Sequence, residues 1–322
     1  MALPTNTVTV FSAIGNREDL ADVIYDITPT ETPFLSMANK GGNATSTLHE
    51  WQTNTLEAAA ANRQLEGDNA TANTFNATTR LNNKCQISRK TVTVSGTQRA
   101  MNSAGRADEY SYQVANRGKE LKRDIEYALV RNQASSAGGI GTARSLASLE
   151  SWLSTNKTSV GTGTAQTTPG YASGDCLAPT DSTVAGTFVE ANLKDVIQKC
   201  WTQGGDPGIV MCGPFNKQRA STFTGIATQY RETGDKRATI IGAAAVYISD
   251  FGEHRIVANR FQRDQTVFVL DMDYWEVSYL RNMKLTPLAK TGDADNAMLV
   301  CEYTLQASNQ AASGKITDCT VS

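Results

Sequence analysis

Apolar residues recur at helical spacing in one part of the chain and at strand spacing in others, and together they predict an α+β fold. Residues 104–133 predict one long helix, because apolar positions return every four or seven residues. Its stripe consists of Tyr110, Val114, Leu121, Ile125 and Leu129. At 1.5 Å per residue the helix is roughly 45 Å long. Lys122 and Glu126 are spaced to pair on its outer face.

The second half of the chain predicts short elements instead. Helices are expected from about Phe188 to Trp201 and over Pro214–Phe223, and strands at 208–212, 243–249, 255–258, 266–270, 275–280 and 298–305. The last strand alternates, with Leu299, Cys301, Tyr303 and Leu305 on one face. This pattern predicts short helices packed on a mainly antiparallel sheet. Residues 154–186, rich in Ser, Gly and Thr, predict a long mobile surface loop.

A long polar β-hairpin is predicted ahead of the long helix. Its arms are Ala44–Thr55 and Leu81–Ser95, both rich in Thr, Val, Ile and Trp. The connecting residues Leu56–Arg80 hold three sizeable apolar side chains: Leu56, Leu65 and Phe75. A hairpin with so little to pack on is marginal in water, and its edges invite pairing with other strands. The hairpin therefore indicates a subunit whose neighbouring copies cover it.

The N-terminal residues predict an amphipathic arm. Asn16–Asp19 resembles a capping box and opens a short helix. The apolar face of that helix consists of Leu20, Val23, Ile24 and Ile27. Pro29 ends it, and Thr32-Pro33 starts a second helical turn with Thr as its cap. The apolar face fits ordinary core packing and partner binding equally well.

Charge is balanced over the whole chain but not along it. The chain has 30 Lys and Arg against 32 Asp and Glu, which argues against a dedicated nucleic-acid or membrane binder. Residues 1–79 hold 3 basic and 9 acidic side chains, whereas residues 80–131 hold 11 and 5. An acidic segment and a basic segment in one chain suit head-to-tail contacts between copies. The alternative, two surfaces that are simply solvated differently, explains the asymmetry equally well. On the long helix, Arg117, Lys119, Lys122 and Arg123 are interleaved with acids, which suits protein better than phosphate.

The sequence offers few groups for catalysis. His49 and His254 are far apart and are interpreted as surface or interface polar groups. Neither a nucleophile elbow nor a phosphate-binding loop is present. The pairs Asp271/Asp273 and Asp293/Asp295 leave a metal-dependent hydrolase as an alternative, although Asp is common in turns for its own reasons. Six cysteines without a CxxC pair predict reduced thiols. We therefore expect no enzyme, no cofactor and no metal.

Several segments resemble the major capsid (major head) proteins of tailed bacteriophages. They are residues 17–37 (REDLADVIYDITPTETPFLSM), 48–53 (LHEWQT), 86–107, 118–126 (GKELKRDIE), 204–207 (GGDP), 248–254 (ISDFGEH), 279–281 and 290–293. The resemblance covers nearly the whole chain except residues 154–186. It implies the Johnson fold, which tailed phages share with herpesvirus shells.

The resemblance also implies a domain plan. An N-terminal arm spans residues 1–43, an E-loop hairpin 44–96, and a P-domain with its spine helix and the surface loop 97–186. An A-domain spans residues 187–285, and closing P-domain strands with the C-terminus span 286–322. The implied function is a self-assembling subunit of an icosahedral head that encloses double-stranded DNA without reading its sequence. The alternative is the shell of an encapsulin-like nanocompartment, which the helix at Arg17–Ile27 keeps open.

The implied partners are other copies, in hexamers and pentamers, together with a portal and a separate scaffolding protein. The separate scaffold is expected because the family-like arm begins within 16 residues of Met1. A cement or decoration protein is compatible, and a membrane is not expected. The virion is the expected location, after assembly in the bacterial cytoplasm. The covalent cross-linking of one branch is not carried over, because no partner can be placed for Lys40, Lys84 or Lys90.

Three sets of residues are expected to contact other copies. A loop at the capsomer axis would use Arg231, Glu232, Asp235, Lys236 and Arg237. The spine helix would receive acidic groups through Arg117, Lys119, Lys122 and Arg123. In the hairpin, Leu65 and Phe75 would be covered by a neighbour's P-domain.

Overall fold

The computed structural model describes residues 28–69, 75–101, 103, 105–164, 166–223 and 246–321. The predicted helix that opens at Asn16 lies outside them. The helices are α1 (Pro33–Met37), α2 (Gly96–Ala100), α3 (Glu109–Val130), α4 (Leu149–Trp152), α5 (Glu190–Thr202) and α6 (Pro214–Ala220). The strands are β1 (Asn39–Lys40), β2 (Leu48–Thr53), β3 (Thr79–Lys84), β4 (Gln86–Ser95), β5 (Asn156–Ser159), β6 (Gly170–Ala172), β7 (Asp175–Leu177), β8 (Ile209–Cys212), β9 (Val246–Ser249), β10 (Gly252–Ala258), β11 (Val267–Leu270), β12 (Trp275–Pro287), β13 (Ala294–Ala307) and β14 (Gly314–Thr317).

Two larger sheets organise these elements. One has the order β1-β12-β13-β4, and the other has the order β5-β14-β11-β8-β10-β9. Two-stranded sheets, β2-β3 and β6-β7, stand beside them. In the second large sheet β14 runs parallel to β5, and β10 runs parallel to β8. That sheet is therefore mixed, with parallel pairs that the sequence pattern did not predict.

The long helix α3 packs on the first sheet and forms a core with it. Leu121, Ile125 and Leu129 of the predicted stripe are buried there. The predicted alternation of β13 is confirmed, since Leu299, Cys301, Tyr303 and Leu305 are all buried. Its opposite face is partly buried as well. There Glu302 accepts hydrogen bonds from Arg144 at 2.6 Å and from Arg281 at 2.8 Å.

The ends of α3 are set by local hydrogen bonding, and the helix is shorter than predicted. The Asp108 carboxylate accepts hydrogen bonds from the backbone N–H groups of Tyr110 at 3.3 Å and Ser111 at 3.2 Å. Such a cap starts a helix at the residue that follows it. The hydrogen bond from the Ser111 hydroxyl is the main cause that lowers the pKa of Asp108. At the other end the backbone becomes extended at Arg131.

Glu126 of α3 is buried and holds α1 in place. Its carboxylate accepts hydrogen bonds from the backbone N–H groups of Phe34 at 2.9 Å and Leu35 at 2.8 Å, and from Asn259 Nδ2 at 2.6 Å. The predicted pairing of Glu126 with Lys122 is therefore wrong, because the carboxylate lies in the core. Helix α1 does begin at Pro33, but the Thr32 side chain makes no capping hydrogen bond. Glu126 supplies the cap from another helix.

The predicted hairpin is split between two sheets. Leu48–Thr53 pairs with Thr79–Lys84 as expected. The rest of the predicted second arm, β4, pairs with β13 over ten residues instead. Cys85 marks the division, and its backbone N–H donates to Thr47 O at 2.8 Å. The hairpin proper is therefore shorter than predicted, and its base merges into the larger sheet.

Residues 154–186 are not the featureless loop that their composition predicts. They contain β5, which pairs with β14, and the β6-β7 hairpin. Buried Asn156 donates from Nδ2 to Ala311 O at 2.5 Å and Ser313 O at 3.2 Å. The Asp318 carboxylate accepts from the Ser159 hydroxyl at 2.5 Å and from the backbone N–H of Ser182 at 2.8 Å. Polar side chains, which no apolar period reveals, hold this segment.

We expect Glu126→Ala to lower the free energy of unfolding by about 3 kcal/mol or more, because it leaves buried N–H groups without an acceptor. Asp124→Ala is the matched control on the same helix. Asp124 is half exposed and pairs with Lys90, so its loss should cost about 1 kcal/mol or less. Urea unfolding followed by circular dichroism measures both variants. Equal losses would contradict the capping role.

Glu126 should also impose a pH dependence. Burial raises the pKa of Glu126 above its ordinary value of 4.5, and the three hydrogen bonds that it accepts lower it by less. The folded state therefore keeps this proton at pH values where the unfolded state has lost it. The contribution of Glu126 to the free energy of unfolding therefore falls as the pH rises from its ordinary pKa through its raised pKa. Urea unfolding at several pH values gives the free energy of unfolding of the wild type and of Glu126→Gln. The wild-type value minus the variant value should decline as the pH rises across that window. A difference that grows with pH would contradict this sign.

Candidate assembly surfaces

The connection between β2 and β3, here called the hairpin loop (residues 54–78), is exposed throughout its described part. Every residue in 54–69 and 75–78 is exposed. Leu56 is 89 %, Leu65 80 % and Phe75 87 % exposed. The structure thus places both predicted contact residues, Leu65 and Phe75, on an open loop. An apolar side chain of this size gains about 1.5–3 kcal/mol when it is fully buried, so a partner that covers these residues gains stability.

Aromatic packing fixes the base of the hairpin to the subunit. Trp51 Nε1 donates to Ala307 O at 2.9 Å. The Trp51 ring lies 5.4 Å from that of Trp152, which stacks on Tyr171 at 5.7 Å. His49 Nε2 lies 2.7 Å from Gln306 Oε1. The loop therefore projects from a rigid base.

A buried asparagine strengthens the same base. Asn83 Nδ2 donates to Leu305 O at 2.7 Å, and Asn83 Oδ1 accepts from the backbone N–H of Ala147 at 2.8 Å. These bonds tie β3 to β13 and to the segment before α4. No pattern in the sequence marks Asn83, because a lone polar residue in a polar strand carries no periodic signal.

The four predicted basic residues of α3 differ in their surroundings. Arg117 donates to Glu120 within the helix at 2.6 Å, and the Arg123 guanidinium lies 5.6 Å from the centre of the Phe261 ring. Lys119 and Lys122 are exposed. Arg123 therefore supports its own subunit, and Lys122 is the clearest candidate for contact with another copy.

A groove lies beside α3, along strand β4. Its volume is about 350 Å³. Its wall is lined mainly by polar side chains, with one acid and one base: Thr91, Thr93, Ser95, Gln98, Glu109, Gln113 and Arg117. Strand β4 is at the edge of its sheet and pairs only with β13 within the described residues. Such an edge offers backbone N–H and C=O groups to a further extended segment. The sequence pattern did not reveal this edge, because it assigned the strand to the hairpin.

The predicted axis loop lies outside the described part of the chain. This applies to Arg231, Glu232, Asp235, Lys236 and Arg237. The described chain stops at Phe223 after α6 and resumes at β9, an edge strand of the six-stranded sheet.

In the Asp271/Asp273 and Asp293/Asp295 pairs, Asp271 and Asp295 make hydrogen bonds and ion pairs within the subunit. Asp271 accepts from the backbone N–H groups of Asp206 at 3.1 Å and Asp273 at 3.2 Å. Asp295 pairs with Lys290 and Arg99. Among the described residues, no group of three or more His, Cys, Asp and Glu side chains is placed to hold a metal ion.

The histidines and cysteines are engaged inside the subunit. His254 is buried and hydrogen-bonds to Ser249 Oγ at 2.7 Å and to Pro207 O, so the prediction that it is a surface group is wrong. All six cysteines are free and buried. Burial raises the pKa of Cys176 and of Cys212 to about 12. No helix in the described part of the chain combines the length and apolar character of a membrane span.

Comparison with known proteins identifies the family. A family model described as SU10 major capsid protein matches residues 3–320. The major capsid protein of Escherichia phage Phieco32 is 28 % identical over 349 residues, which cover 98 % of this chain and 97 % of that protein.

Solved structures show the same fold. A chain of the Cyanophage A-1(L) capsid asymmetric unit has a TM-score of 0.65 at 14 % identity, covering 98 % of this chain and 100 % of that one. The capsid of a native GTA particle gives a TM-score of 0.62 at 13 % identity, covering 98 % and 100 %. Nothing in these comparisons favours an encapsulin-like shell. The chain therefore belongs to the SU10 major capsid protein family and is a structural subunit of a phage capsid, with the fold of tailed-phage capsid proteins.

Proposed function

We propose that the subunit forms the hexamers and pentamers of an icosahedral head that encloses double-stranded DNA, and that the hairpin loop joins neighbouring copies. The observation that carries this role is a loop on a rigid base, all of whose described residues are exposed. Ordering its backbone costs about 1–2 kcal/mol per residue, and its own subunit buries none of its described side chains. Contacts with a second copy would offset that cost.

The receiving surface that fits best is the groove between β4 and α3. It combines a free strand edge with polar side chains that hydrogen-bond, which suits an extended and largely polar loop. The hairpin loop carries three acids, Glu57, Glu66 and Asp68, against one base, Arg63. Exposed Lys122 of α3 carries the opposite charge.

The domain plan drawn from the sequence is retained within this proposal. Residues 1–43 act as the arm, 44–96 as the E-loop, 97–186 and 286–322 as the P-domain, and 187–285 as the A-domain. The loop with Arg231, Glu232, Asp235, Lys236 and Arg237 would meet its own symmetry copies at the capsomer axis. A separate scaffolding protein and a portal would take part in assembly, and a decoration protein is compatible with the shell.

Assembly should protect the hairpin loop from hydrogen exchange. Electron microscopy should show closed shells when the chain is assembled together with its scaffolding protein, and exchange over residues 56–80 should be fast in unassembled subunits and slow in shells. The physical reason is that only a neighbour can supply backbone partners and cover Leu65 and Phe75. The helical backbone amides of residues 121–130 in α3 serve as the internal control and should be protected in both states. Strong and equal protection of 56–80 in both states would refute the interlocking role.

Charge reversal on α3 should weaken assembly. We expect Lys122→Glu to lower shell yield while the thermal unfolding of the subunit stays unchanged, because Lys122 is exposed. Single exposed pairs contribute about 0–1 kcal/mol, so the effect grows only through repetition over many interfaces. Arg123→Glu is the contrasting variant, and it should lower the unfolding temperature because it loses the contact with Phe261. Normal shell yield from Lys122→Glu would count against this surface.

A further inference from the structure

The face of the first sheet that turns away from α3 carries basic side chains that none of the proposed contacts uses. Residues that lie opposite each other in a sheet point to the same face. Arg89 of β4, Val300 of β13 and Lys284 of β12 form one row across the sheet. In the next row, Glu302 lies opposite Arg281. Neighbouring strands are about 4.8 Å apart, so Arg89 and Lys284 begin from backbones roughly 10 Å apart.

The acid in the middle of this face is already neutralised, whereas two of the bases are not. Glu302 is 3 % exposed and accepts hydrogen bonds from Arg144 at 2.6 Å and from Arg281 at 2.8 Å. Arg89 and Lys284 are exposed, and neither forms an ion pair with another residue of the described ranges. Their charges are therefore available to a ligand.

The balance of charge on this face is positive. The three strands and the segment before α4 bring four bases and two acids to it: Arg89, Arg144, Arg281, Lys284, Glu276 and Glu302. Glu276 lies opposite Gln306, four residues along β13 from Glu302 and therefore roughly 13 Å away. The four bases define what is here called the basic face. Among the described residues of the three strands, no exposed carboxylate lies between them on this face.

The layout of the basic face favours a polyanion over an acidic protein segment. Arg89 and Lys284 are separated across an open sheet, so one carboxylate does not reach both. Duplex DNA carries a phosphate about every 3.4 Å along each strand, so separated bases contact different phosphates at once. Thr91 and Thr93 are exposed on the same face of β4 and add hydroxyl donors, which phosphate oxygens accept.

We propose that the basic face binds the phosphate backbone of double-stranded DNA without reading its sequence. The inference rests on the proposed enclosure of such DNA by the shell. Contacts with a few phosphates give weak binding that salt reduces, because the logarithm of the binding constant falls with that of the salt concentration by about 0.9 per contact. Weak, local binding is compatible with a chain whose charges nearly cancel over its whole length.

Fluorescence anisotropy of a labelled DNA duplex, titrated with unassembled full-length subunits, tests the proposal. Wild type should bind the duplex at low salt and bind a second duplex of unrelated sequence equally well. Arg89→Gln combined with Lys284→Gln should weaken binding about tenfold or more at about 50 mM salt and lower the salt dependence by about two contacts. These two residues are chosen because neither is a partner of Glu302, so their loss leaves no buried acid unpaired.

Arg255→Gln combined with Lys194→Gln is the matched control. Both residues are exposed, on β10 and α5, outside the first sheet. This variant removes the same charge and should bind DNA like wild type. Unchanged thermal unfolding shows that each variant is folded.

The outcomes separate this inference from the proposed function. Equal affinity and salt dependence of wild type and the Arg89/Lys284 variant would overturn the inference, as would an equal loss in the control variant. A difference between the two duplexes would mean that bases are read, which also overturns it. If the Arg89/Lys284 variant binds DNA normally but no longer forms shells with the scaffolding protein, the basic face contacts protein and the inference is overturned. If wild type forms no shells although its subunits bind the duplex through these residues, the proposed function fails and the basic face stands.

Discussion

One buried carboxylate joins three separate parts of this subunit. Glu126 lies on the longest helix, but the groups that it binds belong to the arm at Phe34 and Leu35 and to the end of β10 at Asn259. A buried acid is costly unless donors surround it. The arm must therefore occupy one position, and β1 then pairs with β12 in register, Asn39 opposite Glu276. The helix, the arm and the end of β10 in the six-stranded sheet form one unit because this group takes partners from both the arm and Asn259.

The hairpin has a base that is held rigidly to the subunit and a loop that is exposed. Its base is held by Trp51, Asn83 and His49 through side-chain hydrogen bonds to the first sheet and the segment before α4. A few residues beyond this base, the described loop has no buried side chain. A stiff base limits the directions in which the loop can leave the subunit. In the proposed assembly it would reduce the entropy that is lost when a neighbour binds the loop.

Periodic apolar patterns correctly predicted one long helix and one long strand. Helix α3 and strand β13 follow from such patterns, because Leu121, Ile125 and the alternating face from Leu299 to Leu305 form the core. The exposure of Leu65 and Phe75 follows from their isolation in a polar segment. The resemblance to capsid proteins, rather than any pattern, supplied the family.

Single polar residues account for most of what the sequence did not predict. Nothing in the spacing distinguishes Glu126, which is buried, from Asp124, which is half exposed. Asn156 and Asp318 hold residues 154–186 through hydrogen bonds to distant backbone, and Cys85 divides a strand that reads as continuous. Such contacts depend on the tertiary arrangement, so the sequence alone does not reveal them.

The burial of every cysteine has a consequence for the life of the particle outside the cell. A thiol reacts as its thiolate, and the raised pKa values of these buried groups keep that form scarce near neutral pH. When a head leaves a reducing cytoplasm for an oxidising medium, many copies carry six thiols each to a new redox potential. Because all six thiols are buried within the subunit, they are not placed to form disulfides with neighbouring copies.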